Sequence, residues 1–206
     1  MLATPALMRL PFLSSAAEDP DAPLVQRIQR GDQSAFEELY ARYRHAMTRL
    51  VSNIVREPES VPDLVQEIFT RVYFAMNTLT PGLPFRPWLY RVATNHCVDF
   101  LRKRKRQPNW VSTTGENGEE NEWLLPATGG NVLQQLVSRD LAHKLLSELK
   151  PRDRMLLVMK EIQEMSLEEI GQATGMGESA VKVALFRARK RMLDHYRKVV
   201  RAEKMS

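Results

Sequence analysis

The sequence predicts an all-α protein, two small helical domains joined by a flexible acidic linker, with the C-terminal domain a helix-turn-helix. Three observations lead there. Apolar residues recur at helical spacing along most of the 206 residues, and nothing alternates with a period of two for long enough to suggest a sheet. Residues 107–138 lose that period and every Lys and Arg while keeping four Glu, four of the nine glycines and two prolines, the composition of a tether. Residues 166–191 read as a helix, a tight turn and a strongly basic second helix.

Residues 1–20 contain Pro5, Pro11 and Pro20 and read as a disordered lead-in. Leu24 to Arg30 forms a short helix ended by Gly31, and Asp32 caps the next one. That second helix carries Phe36, Leu39, Tyr40, Tyr43, Met47, Leu50, Val51 and Ile54 at helical spacing and stops near Arg56, before Pro58. A third helix starts at Pro62-Asp63, where proline loses nothing because its missing N–H had no partner in a first turn. It aligns Leu64, Ile68, Val72 and Ala75. Thr78 to Phe85 is a loop by its prolines and glycine. A fourth helix runs from Pro87 through Trp88, Leu89, Val92, Val98 and Leu101 into the basic run Arg102-Lys103-Arg104-Lys105-Arg106. The expected domains are therefore 21–106 and 139–206, with the linker at 107–138.

Beyond the linker the sequence predicts a helix over 132–149, one started by Pro151 through Met159, and the helix-turn-helix. Ser166 and Glu169 have the spacing of a capping box, in which hydroxyl and carboxylate satisfy backbone N–H groups lacking partners. The first helix ends at Thr174-Gly175, where glycine tolerates the left-handed backbone of a sharp turn. On the second helix, Val181, Leu185, Ala188 and Met192 share one narrow apolar sector at 100° per residue. Ser179, Lys182, Val183, Phe186, Arg187 and Lys190 point away from it, so one face packs and the other is free to read DNA. Residues 182–204 hold nine Lys or Arg against two acids, whereas a merely solvated helix mixes signs to gain i,i+4 pairs.

The formal charge of +5 and pI near 9.5 suit a polyanionic partner, and the basic residues fall in two blocks flanking the acidic strip. Cys97 is the single cysteine, which excludes an intrachain disulfide and suits a reducing compartment, the cytoplasm. No run approaches the roughly 18 apolar residues that span a bilayer, so no direct membrane insertion is expected. The four His lack metal-ligand spacing, and neither a phosphate loop nor paired acids accompany His96-Cys97. An enzyme with a cofactor or a small-molecule substrate is accordingly not expected.

Two further constellations carry chemistry. The run 102–106 is more cationic than a helix dipole accounts for and suits phosphate contact through counterion release. Upstream on the same helix, Tyr90, Arg91, Asn95 and Asp99 are groups that stack on a base or bond its edge. Asp63, Gln66 and Glu67 form one polar face, either complementing the helix dipole or docking a basic protein.

With these residues the chain resembles sigma-70-type initiation factors of the two-domain, extracytoplasmic-function group, in the branch that answers envelope stress. Residues 61–69 resemble the segment that binds the coiled coil of the largest polymerase subunit, which implies core-polymerase contact by Asp63, Gln66 and Glu67. Residues 85–95 with 99–103 resemble the segment that recognises and melts the minus-10 element. The resemblance implies a base pocket at Leu79, Tyr90 and Asn95, with Arg91, Asp99, Arg102, Lys103 and Arg104 also on promoter DNA. Residues 166–191 resemble the minus-35 reader, with Ser179, Lys182, Val183, Phe186, Arg187 and Lys190 facing DNA. Val183 and Ala184 depart from the serine and arginine common in the family. The resemblance further implies a linker threading the polymerase cleft, an anti-sigma factor as partner, and no catalytic residue. The competing expectation is a helix-turn-helix repressor acting without polymerase, for which the C-terminal domain alone would suffice.

Overall fold

The computed structural model describes residues 19–80, 82–104 and 139–203, and every regular element among them is helical. The expected lead-in up to residue 18, the acidic linker and the last two residues of the basic run, Lys105 and Arg106, lie outside the described residues.

The first helical group comprises α1 (Ala22–Gln29), α2 (Gln33–Val55), α3 (Val61–Ala75) and α4 (Phe85–Arg104). Gly31, at φ 90°, turns the chain between α1 and α2, and the Asp32 carboxylate accepts the Ala35 N–H to cap α2. The long α2 is the spine. Its Leu39, Met47, Leu50, Val51 and Ile54 are fully buried, against Leu64, Ile68 and Val72 of α3 and Leu89 and Ala93 of α4. The start of α4 is fixed from far away in sequence: Asp19 Oδ2 accepts the Phe85 N–H at 2.8 Å. Two residues on, the buried Asp21 carboxylate accepts hydrogen bonds from Arg42 and from the Tyr43 hydroxyl, so the segment read as a loose lead-in ends in an anchored corner.

The second group comprises α5 (Arg139–Ser147), α6 (Pro151–Leu157), α7 (Leu167–Thr174) and α8 (Glu178–Glu203). The helix opened by Pro151 does not stay α-helical to Met159 as the sequence suggests. It widens into one π turn over Val158–Ile162, and Glu164 then takes a positive φ of 53°. Ser166 and Glu169 close the capping box in both directions, at 3.0 and 2.7 Å. Gly175 adopts φ 71°, and the following Met176 N–H bonds back to the Gly171 carbonyl at 3.1 Å. That return leaves no room at Gly171.

The two groups of helices pack against each other. Their buried residues form one continuous apolar cluster. The Tyr90 hydroxyl donates to Gln163 Oε1 at 2.7 Å, and Gln163 Nε2 donates to the Ala46 carbonyl at 3.3 Å. Arg86 donates to Glu169 at 3.0 Å and to the Gln163 carbonyl at 2.6 Å. Arg154, buried in the second group, donates to the Ile54 carbonyl at 2.9 Å, one of the carbonyls that the end of α2 leaves without a helical partner. Burial holds its guanidinium down to about 10.

A Cβ at Gly171 would lie 2.8 Å from the Met176 carbonyl oxygen. Gly171→Ala should therefore force the turn apart and destabilise the chain by about 1–3 kcal/mol, as overpacked sites do. Urea denaturation followed by circular dichroism checks this, with Gly177→Ala, which meets nothing within 4 Å, as the neutral comparison.

Candidate nucleic-acid interface

On α8 the division into two faces is realised residue by residue. Val181, Leu185, Ala188 and Met192 are buried, and Ser179, Lys182, Val183, Phe186, Arg187 and Lys190 are all exposed. Phe186 stands 67 % exposed, an apolar ring among cations on an outward helix face. The cations fall into two sets. Arg189 reaches Glu161 at 2.6 Å and Arg191 reaches Asp153 at 2.6 Å, so they fasten α8 to the π turn and to α6. Arg187 and Lys190 have no ion-pair partner among the described residues, and Lys182 pairs only with the exposed Glu178 at 2.8 Å. The face left open is thus Lys182, Arg187 and Lys190 around Val183 and Phe186. Cations that address guanine, beside apolar groups that meet a thymine methyl, suit base edges in a major groove.

On α3, Asp63, Gln66 and Glu67 are exposed on one side. Glu67 also leans on α4: its Oε2 lies 2.8 Å from Nε2 of the buried His96. This is an ion-pair approach without hydrogen-bond alignment, and both ring nitrogens lack a hydrogen-bond partner among the described residues. Desolvation lowers the His96 pKa, as does the nearby Arg71, while Glu67 and Asp99 pull the other way. Cys97, next in sequence, is fully buried, and burial pushes its thiol up to about 12, so it packs as an apolar residue and is no nucleophile at neutral pH.

The expected minus-10 residues divide. Asn95, Asp99, Arg102 and Lys103 are exposed and Arg91 is half-buried. Arg102 turns back to Asp99 at 3.1 Å, and Arg104 is held by Glu57 through a forked set of hydrogen bonds that includes one of 3.1 Å. Of the described basic run, only Lys103 is free of an intramolecular acid among the described residues. Tyr90 and Leu79 do not face solvent. Tyr90 is 1 % exposed beneath Gln163, where burial raises its phenol to about 12, and Leu79 is part of the α1–α4 core. Of the three residues expected to form a base pocket, Leu79 and Tyr90 are therefore buried and Asn95 alone is exposed. The helix itself carried a signal of this: apolar side chains surround much of α4, from Trp88, Leu89 and Tyr90 to Val92 and Ala93, as in a helix covered on more than one side.

What is open is a groove of about 570 Å³ between α3 and α4, lined by Thr70, Arg71 and Phe74 on one side and Asn95, His96 and Asp99 on the other. Phe74 escaped the reading of periodicity because it lies off the apolar stripe of α3, which is itself the signal that could have found it.

Residues 39–107 match the family model for sigma-70 region 2, and residues 139–192 match that for sigma-70 region 4. Both regions occur in order on one chain. The extracytoplasmic-function RNA polymerase sigma-E factor of Escherichia coli is 32 % identical over 173 residues, 82 % of this chain and 90 % of that protein. The chain belongs to the extracytoplasmic-function sigma factors of the sigma-70 family. The RNA polymerase sigma-H factor of Pseudomonas aeruginosa is 29 % identical over 182 residues, 84 % of this chain and 91 % of that one. In fold, the sigma factor is similar to CnrH in its complex with the cytosolic domain of CnrY, with a TM-score of 0.64, 24 % identity, and 86 % and 97 % of the two chains covered. The region 2 match sets aside a repressor built on a helix-turn-helix alone. Among the described residues no helix is long and apolar enough to cross a membrane.

His96 supplies a pH test of the α3–α4 contact. Its folded pKa lies below the ordinary 6.5, so the unfolded chain binds the proton first as pH falls. The stability contributed by neutral His96 is present above 6.5 and is lost as pH drops from 6.5 toward the lower folded value. Urea midpoints measured from about pH 7.5 down to about pH 5 should fall more steeply for the native chain than for His96→Gln, which has no titrating ring.

Proposed function

We propose that this sigma factor binds core RNA polymerase through the exposed α3 face of Asp63, Gln66 and Glu67, and reads promoter DNA through two surfaces. The minus-35 element meets Ser179, Lys182, Val183, Phe186, Arg187 and Lys190 on α8. The minus-10 element meets Arg91, Asn95, Asp99, Arg102 and Lys103 on α4, with Arg104 joining if it leaves Glu57. Leu79 and Tyr90 are omitted because both are buried. The single observation that carries the reading is the presence of both sigma regions on one chain, the second with its reading face outward. It acts by positioning and melting DNA, with no catalytic side chain of its own.

In this reading residues 21–106 and 139–206 are the two functional units, and residues 107–138 join them along the polymerase cleft. The sigma factor works in the cytoplasm on a stress-response regulon, and an anti-sigma factor holds it inactive. What supports that partner is the family itself and a fold neighbour, the sigma factor RpoE of Bartonella quintana, whose structure is a complex with the anti-sigma factor NepR.

Initiation in vitro tests the assignment. Core polymerase given this chain should start transcripts from a subset of a genomic promoter library, and Asp63→Lys should weaken core binding by roughly tenfold, about 1.4 kcal/mol. Failure of the native complex to initiate on any fragment overturns the reading. Arg187→Ala should relax preference at one minus-35 position at a cost of about 1–3 kcal/mol, whereas Lys103→Ala should weaken binding almost uniformly and lower the salt slope by about 0.9. Competition binding on a randomised minus-35 site, repeated at several salt concentrations, separates reading from clamping.

A further inference from the structure

A buried histidine on α4 stands directly behind the acidic face of α3. The His96 side chain is 7 % exposed and that of Glu67 is 60 %, yet Glu67 Oε2 lies 2.8 Å from His96 Nε2. A carboxylate beside a buried imidazole is most often a packing contact. Two observations set this one apart. Neither ring nitrogen has a hydrogen-bond partner among the described residues, so packing holds the ring while its polar atoms stay unsatisfied. The acid it approaches also has a second use: Glu67 stands one helical turn from Asp63 and next to Gln66, on the exposed α3 face assigned above to core polymerase.

The protonation state of the ring decides where that carboxylate is used. Neutral imidazole offers Glu67 one N–H and no charge. Imidazolium offers a cation at ion-pair distance in a poorly solvated contact, where attraction is stronger than at the surface. From α3 the ring faces Glu67 and Arg71, and from its own helix Asp99, the charges that act most on it. Arg71 opposes protonation and the two acids favour it, so the ring takes a proton most readily while Glu67 stays against it. A basic partner that draws Glu67 outward removes that support.

We propose that His96 is the positioning residue for Glu67 and makes core binding sensitive to proton concentration: the neutral ring leaves the carboxylate to the polymerase, and the protonated ring keeps it on the sigma factor. This rests on the reading of the chain as a polymerase-binding sigma factor and adds a residue that acts through Glu67. Because the polymerase and the imidazolium compete for one carboxylate, each weakens the other by the same factor. The His96 pKa lies below 6.5 in the free chain, and in the complex, with Glu67 turned away, it lies lower still. Core affinity is therefore full above 6.5 and is lost as pH falls below it, and binding in that range releases protons.

The test measures binding of the full chain to core polymerase by fluorescence anisotropy from about pH 7.5 to about pH 5.5. The His96→Gln profile carries the titration of the polymerase itself. Relative to it, the native Kd should rise by about 3- to 10-fold, the upper limit being that of one proton over the pH unit below 6.5. Glu67→Gln should bind more weakly at neutral pH and run parallel to His96→Gln. It changes an exposed side chain, so the comparison stands even where His96→Gln is unstable. Calorimetry near pH 6, in two buffers of different ionisation enthalpy, should show more protons released on binding by the native chain than by Glu67→Gln. Parallel profiles for all three proteins overturn the proposal and leave the sigma-factor reading intact, as does native binding that tightens relative to both variants when pH falls. Absence of native binding at every pH overturns that reading and this proposal with it.

Discussion

Gln163 is where the two halves of this molecule meet, and much of the arrangement depends on it. One amide side chain joins three elements, accepting from the Tyr90 hydroxyl on α4 and donating to the Ala46 carbonyl on α2 while sitting at the end of the π turn. Its own carbonyl takes the Arg86 guanidinium. A buried hydroxyl or carbonyl left without a partner costs about 1–3 kcal/mol, so these polar groups specify one register between the halves as well as attracting them. The π turn is what presents Gln163: widening the backbone over Val158–Ile162 carries the chain outward before Glu164 turns it back toward α7.

Closing the halves in this register sorts the surfaces. The apolar side of α8 is consumed by packing, and Arg189 and Arg191 are drawn to Glu161 and Asp153, which orients the helix about its own axis. The remaining face, with Lys182, Phe186 and Arg187, is left outward. On the first group the side of α4 bearing Tyr90 is covered, while the opposite side, with Asn95, Asp99 and the α3 groove, stays open. The α3 face proposed to meet polymerase and the α4 face proposed to meet DNA therefore lie side by side, in contact through Glu67 and His96.

Charge is the property that sequence alone read most coarsely. Nine basic residues over 182–204 looked like one reservoir for DNA, and the run 102–106 looked like one clamp. In the fold several of them have structural tasks: Arg189 and Arg191 brace α8, Arg104 is held by Glu57, and Arg102 turns to Asp99. Composition counts charges but not the acids they meet, since Glu57 lies 47 residues from Arg104 and Glu161 lies 28 from Arg189.

The sequence by itself determined what is local. Ser166 and Glu169, Gly175, Asp32 and Gly31 place helix ends because capping and left-handed turns depend on a few neighbouring residues. The 3.6-residue period told the packed face of α8 from the reading face because side-chain direction on a helix follows from spacing alone. Only the tertiary structure decided which of the candidate residues remain reachable. Leu79 and Tyr90 were reasonable as pocket walls, yet the first is spent on the core and the second on a partner 73 residues away. Periodicity shows that a face is apolar but not what will cover it, so the burial of Tyr90 and the exposure of Phe74 became visible only once the helices were packed.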